Sequence, residues 1–77
     1  ANIGQVQQSI DTLKEALTIS RQTEDSNLRF DSLTNLGSSL HRLGETQSAL
    51  EHYNKALEIA ENMGDDYRRA NAISRIL

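Results

Sequence analysis

The 77-residue chain repeats itself at a distance of 40 residues, and that period limits the folds open to it more than any other feature. Gly4, Gln7, Ala16, Leu17, Ile19, Asp25 and Arg29 return as Gly44, Gln47, Ala56, Leu57, Ile59, Asp65 and Arg69. Seven identities among 37 comparable positions exceed the roughly two that chance gives for common residue types. Similar residues keep the same register: Ile3 with Leu43, Ser9 with Ala49, Ile10 with Leu50, Leu33 with Ile73, Leu36 with Ile76. A unit of this length is one supersecondary element that buries its apolar face by stacking on its neighbours.

Within the period the spacing is helical. Leu33, Leu36, Gly37, Leu40 and Leu43 fall three and four residues apart, as do Ala49, Leu50, Tyr53, Ala56, Leu57 and Ala60. Each set forms one face of an amphipathic helix. Gly44 between them, and Gly64 after the second, stand where a helix ends in a left-handed residue. Ser9, Ile10, Leu13, Ala16, Leu17 and Ser20 make a further stripe between Gly4 and about Thr23. Glu24-Asp25-Ser26 supplies a stop and an N-cap, and Asp65 or Asp66 supplies the next cap, before a helix over Tyr67 to Leu77. The expected fold is all-α, with about four helices in antiparallel helix-turn-helix repeats, stacked as a fragment of an α-solenoid. Residues 1–25 are expected to be the second helix of a partial repeat, 26–64 one complete repeat, and 65–77 the first helix of a truncated one. A piece of a longer solenoid fits that order; a four-helix mini-domain is the alternative.

Leu33-x-x-Leu36-Gly37-x-x-Leu40, followed by Ala49-x-x-x-Tyr53-x-x-Ala56, closely resembles the tetratricopeptide repeat signature. The resemblance spans essentially the whole chain. Leu33 and Leu40 stand where the general signature has Trp and Tyr, and Glu61 where a proline usually ends the second helix. The period is 40 rather than 34, and Leu77 stands where Gly37 predicts a glycine. Six extra residues without a proline lengthen the second helix by roughly 9 Å at 1.5 Å each. This long form is similar to the repeats of kinesin light chains, of polarity scaffolds that bind G-protein regulators, and of many bacterial regulatory proteins. HEAT and armadillo repeats have a similar period without the Leu-Gly, Ala, Tyr, Ala spacing.

Chemistry of other kinds finds little support. A net charge of −3 with scattered basic residues leaves no electrostatic footprint for nucleic acid. No apolar run approaches a membrane span, and the absence of cysteine excludes disulfides. His41 and His52 lack metal-site spacing. Ser38 and Ser39 lack a nucleophile elbow and a base, and Asp65-Asp66 lacks the alternation of a calcium loop. No glycine-rich phosphate loop exists. Arg68-Arg69 reads as a solvated pair, and Glu51 with Lys55 as a weak i,i+4 ion pair. No enzyme, cofactor, metal, nucleic acid or membrane partner is expected, and a cytoplasmic location is the default.

One polar stripe stands out on the first helix of the complete repeat. Asp31, Asn35, Ser38 and Arg42 fall at i, i+4, i+7 and i+11, beside Thr34 and His41, away from the leucine stripe. The same pattern also suits the solvated face of any amphipathic helix. In tetratricopeptide arrays the first helices line a concave groove, and the long-period relatives often place asparagine before Leu-Gly, where Asn35 stands. The resemblance therefore implies a peptide-binding set of Asp31, Thr34, Asn35, Ser38, His41 and Arg42, with Asn71 and Arg75 from the next repeat. A primary amide at Asn35 can both donate to and accept from a peptide backbone. The expected function is a protein-interaction scaffold holding a peptide or partner helix in that groove. The alternatives are a self-associating structural segment and the regulatory array of a larger enzyme or transcriptional regulator. Homo-oligomers would form through apolar stripes at the two ends, Ile10, Leu13 and Leu17 at one and Ile73, Ile76 and Leu77 at the other.

Overall fold

The computed structural model describes residues 3–77, and it is all-α, with no strand among those residues. Four helices follow in order: α1 (Ile3–Gln22), α2 (Ser26–Arg42), α3 (Thr46–Met63) and α4 (Asp66–Ile76). Each packs against the next, most extensively α2 on α3, in a flat body with principal extents of 36 × 30 × 17 Å. Ala1 and Asn2, the first two residues of the expected 1–25 unit, lie outside the described residues.

The three connections are built alike. Glu24, Gly44 and Gly64 adopt φ of 53°, 80° and 67°, and Asp25, Glu45 and Asp65 follow as the N-caps of α2, α3 and α4. In each turn the cap residue's N–H reaches the carbonyl five positions back, on Ser20, Leu40 and Ala60, at 2.9, 2.9 and 3.1 Å. This closes the preceding helix through one of its otherwise unmet carbonyls. The turns thus recur every 20 residues, half the sequence period. Asp25 and Asp65 also accept side-chain capping bonds from the N–H groups of Leu28 and Arg68, at 3.1 and 3.0 Å. Glu45 makes no such bond; its longer side chain is a poorer cap than Asp.

The core runs through all four helices: Val6, Ile10 and Leu17 from α1, Phe30, Leu33 and Leu36 from α2, Ala56 and Ala60 from α3, and Ala72 from α4. Ser20 is fully buried at the position of Ala60 one period later, its hydroxyl satisfied by the Leu17 carbonyl at 2.6 Å. Small residues at these matched sites let helices pass close together. At Gly37 the neighbour is a side chain. A Cβ built there would lie 2.5 Å from Cε1 of Tyr53, so the glycine leaves room for an aromatic ring, not for a second backbone.

The expected open stripe on α1 requires correction. Ile10 and Leu17 are buried and Leu13 is half-buried, because α2 covers that face. Ser9, expected in the stripe, is exposed, and Val6 takes part instead. On α4 the expectation fits better: Ile73 and Leu77 are exposed, and Ile76 is half-buried. His52, which a helix surface would expose, is half-buried with Nδ1 2.8 Å from the Ser48 carbonyl. Arg68 is no free surface charge either. Its Nη1 donates to Asp65 Oδ2 at 2.7 Å, and its guanidinium carbon lies 5.6 Å from the centre of the Phe30 ring. Glu51 and Lys55 form no ion pair; among the described residues the pairs are Arg68–Asp65 and Arg69–Asp66.

Candidate partner-binding face

The polar stripe of α2 divides into three kinds of residue. Thr34 is 4% exposed and its hydroxyl donates to the Asp31 carbonyl at 3.1 Å, so it points into the packing and offers nothing outward. Helical periodicity placed it beside Asn35; the inward tilt of its side chain is set by the neighbouring helices. Asp31, Asn35, His41 and Arg42 are exposed, and their side chains make no hydrogen bond or ion pair. Ser38 is half-buried and committed.

Ser38 joins three helices. Arg75 Nη1 on α4 donates to Ser38 Oγ at 3.0 Å, and Ser38 Oγ lies 3.2 Å from the Tyr53 hydroxyl on α3. Arg75 in turn donates through Nε to Asn71 Oδ1 at 2.9 Å. A serine oxygen can accept one bond while its own hydrogen serves another, so the chain Asn71–Arg75–Ser38–Tyr53 is satisfied throughout. Three of the eight sequence-derived residues, Ser38, Asn71 and Arg75, thus meet in space. Tyr53 was legible as a core aromatic; its hydroxyl in this chain was not, because the contact lies 15 residues away in sequence.

A second arrangement lies beside it. A hollow of about 650 Å³ opens between α1 and α2. Asn35, Ser38 and Arg42 line it from α2, while Gln5, Gln8, Thr12 and Leu13 line it from α1. The α1 wall had no place in the sequence-derived set. The 40-residue register contained the signal, since Leu13 corresponds to Tyr53, against which α2 packs. Asp31, Thr34, His41, Asn71 and Arg75 do not line this hollow. Its walls carry amides, hydroxyls and one guanidinium, groups suited to a peptide backbone and acidic side chains rather than to bond-breaking chemistry. Among the described residues no three His, Cys, Asp or Glu side chains gather as a metal site, and no helix is long and apolar enough to cross a membrane.

A model of the tetratricopeptide repeat family matches residues 1–62. The chain belongs to the tetratricopeptide repeat family. The matched stretch holds α1, α2 and all but the last residue of α3, which includes the hollow and the Gly37–Tyr53 contact. No curated protein and no solved structure matches the chain. Tetratricopeptide repeats generally mediate protein–protein interaction, and proteins of the family are typically non-catalytic.

Proposed function

We propose that this tetratricopeptide repeat chain binds a protein partner through the hollow between α1 and α2, with Asn35 and Arg42 as the principal contacts. The observation that carries the reading is that both side chains are exposed, lack internal partners and line the same 650 Å³ space. The Asn35 amide matches a peptide unit at donor and acceptor, and Arg42 favours an acidic or phosphorylated group nearby. Asp31 and His41 extend the contact along exposed α2, while Ser38, Asn71 and Arg75 hold α2 and α4 in place behind it. The occupant is an extended peptide or one helix of the partner. The 40-residue period and the long second helix favour the long-repeat branch of the family, and a scaffold role within it.

The test starts from a random peptide library panned against the chain. Selected peptides are then titrated by calorimetry against the parent protein, Asn35→Ala and Arg42→Ala. Loss of one amide contact removes about 1 kcal/mol, so Asn35→Ala should weaken binding several-fold while the melting temperature holds. Peptides that bind all three proteins equally would place the interaction on another surface.

Self-association is a second reading with its own observation. Ile73 on α4 and Leu77, the residue that caps its end, are four apart and exposed together.

A further inference from the structure

A smaller hollow, of about 380 Å³, lies where α1, α2 and α3 meet, apart from the partner-binding face. Its lining gathers three of the chain's eight basic residues, Arg21, Arg29 and Lys55, with the single acidic residue Glu58. None of the four is in an ion pair. The local charge is +3 − 1 = +2 in a chain whose net charge is −3. Cations gathered in a concavity against the sign of the whole molecule focus an attractive field on anions.

Arg29 is the centre of the argument. It is half-buried, and its Nε is shut off from water with no hydrogen-bond partner, alone in this among the side-chain atoms of the described residues. A buried donor left unmet is costly, so the guanidinium gains a bond by turning towards an acceptor in the hollow. The repeat shows that the vacancy is specific to this position. Arg69, its counterpart 40 residues on, has Asp66 three residues before it and pairs with it at 3.9 Å. Arg29 has Ser26 in that place. Likewise Arg21 corresponds to Glu61, so the next repeat could not gather the same charge.

We infer that this hollow binds a phosphate monoester, its dianion neutralising the +2 and its oxygens accepting from Arg29 with Arg21 and Lys55 closing over it. The charge decides the class. A phosphate monoester carries −1.5 to −2 at pH 7, whereas a single carboxylate leaves half the positive charge unmatched. Guanidinium groups suit phosphate because their N–H donors engage two oxygens at once. The source is either a phosphorylated side chain of a protein or a small phosphate ester.

The experiment titrates the 77-residue protein with phenyl phosphate, phenyl sulfonate and a phosphoserine peptide, following backbone amide shifts by NMR. Phenyl phosphate should move the Arg21, Arg29 and Lys55 signals and bind at least tenfold more tightly than the monoanionic sulfonate. Its affinity should rise between pH 5 and 7 as the second phosphate proton, with pKa near 6, is lost. Arg29→Gln should reduce affinity about tenfold. Lys55→Gln, at an exposed site that does not threaten folding, should reduce it severalfold, and Glu58→Gln should raise it. Tighter binding of the phosphopeptide than of phenyl phosphate identifies a protein source, and equal binding a small ester. Asn35→Ala should leave all of this unchanged, which separates the site from the partner-binding face. Equal affinity for phosphate and sulfonate, or Lys55→Gln and Glu58→Gln both binding like the parent, overturns the inference.

Discussion

Gly37 shows how much one residue can carry and how little of its reason is written locally. Its place in the leucine stripe marks it as a contact position, yet the stripe does not say whether a backbone or a side chain lies opposite. The structure puts the Tyr53 ring there, with Cε1, Cδ1 and Cζ at 2.5, 2.7 and 2.9 Å from an added Cβ. Two effects then compete in Gly37→Ala. Alanine gains about 0.5–1 kcal/mol of helix preference over glycine. Overpacking a buried contact costs typically 1–3 kcal/mol, and the ring has little freedom, being buried and hydrogen-bonded to Ser38. Overpacking should win, and the urea midpoint of Gly37→Ala should fall. Tyr53→Leu in the same protein should recover part of the loss, since leucine is what the chain itself places at the corresponding Leu13. An unchanged midpoint for Gly37→Ala would mean that the ring moves aside freely. Thr34 makes the complementary point: polarity and periodicity assign it to the outer face, but only packing against neighbouring helices shows it turned inward.

Among the elements, all three turns were legible, but the left-handed residue only where glycine marks it. Gly44 and Gly64 announce left-handed residues, whereas Glu24-Asp25-Ser26 announces a stop without showing that Glu24 itself takes the left-handed φ of 53°. The 40-residue register sets Glu24 against Gly64, and the positive φ at both shows the match to be conformational. An L-residue held in that region costs roughly 1–2 kcal/mol, and glycine gives back about 0.5–1 kcal/mol of this through its freer unfolded chain. Glu24→Gly should therefore stabilise the protein by a fraction of 1 kcal/mol to about 1 kcal/mol. For a domain of this size that is a rise in melting temperature of a few degrees, at roughly 4–8 °C per kcal/mol. A fall on calorimetric scanning would show that the Glu24 side chain contributes something its backbone strain conceals. The eleven-residue α4 depends on its cap in another way, because Ala72 is its only buried residue. The Arg68 backbone N–H, and then its guanidinium, hold the Asp65 carboxyl below its ordinary range. The folded value is the lower one, so this contribution is complete above the unfolded value of about 3.9 and disappears as pH falls through the depressed one. Asp65→Asn keeps a capping acceptor but not the charge. The stability of the variant should fall less steeply than that of the parent below pH 4, as followed by denaturant melts across pH. Parallel acid limbs would remove Asp65 from the account.

For the molecule as a whole, the period predicted four helices in the right order, because helix ends and apolar stripes are local properties. Which stripe remains open is not local. The sequence treated α1 and α4 as equivalent ends, and each packs mainly on one neighbour, but α2 buries Ile10 and Leu17 of α1 whereas α3 leaves Ile73 of α4 exposed. Ile73, 37% exposed, shares helical spacing with exposed Ala70 on α4 and with the capping Leu77, 97% exposed, just beyond it. Their counterparts one period earlier, Leu33, Gly37 and Phe30, are all buried, so the face has the register of a packing surface without its cover. Apolar side chains grouped in this way favour association. The hollow between α1 and α2 proposed to bind the partner is lined mostly by polar residues, with Leu13 as its one large apolar side chain, and α1 exposes Ile3 and Ile19 at separate points along its length. A symmetric contact between two α4 faces is therefore the economical arrangement, since a two-fold interface uses the same patch twice. Sedimentation equilibrium should show the 8.6 kDa chain passing to a dimer as its concentration rises towards the millimolar range, without larger species. Ile73→Ser should shift that transition to higher concentration and leave the helical circular dichroism intact, because the side chain is already partly in water. Asn35→Ala should not shift it. A head-to-tail contact would instead produce a ladder of growing oligomers, and a monomer at every concentration would mean that the α4 face is too small to hold a second copy.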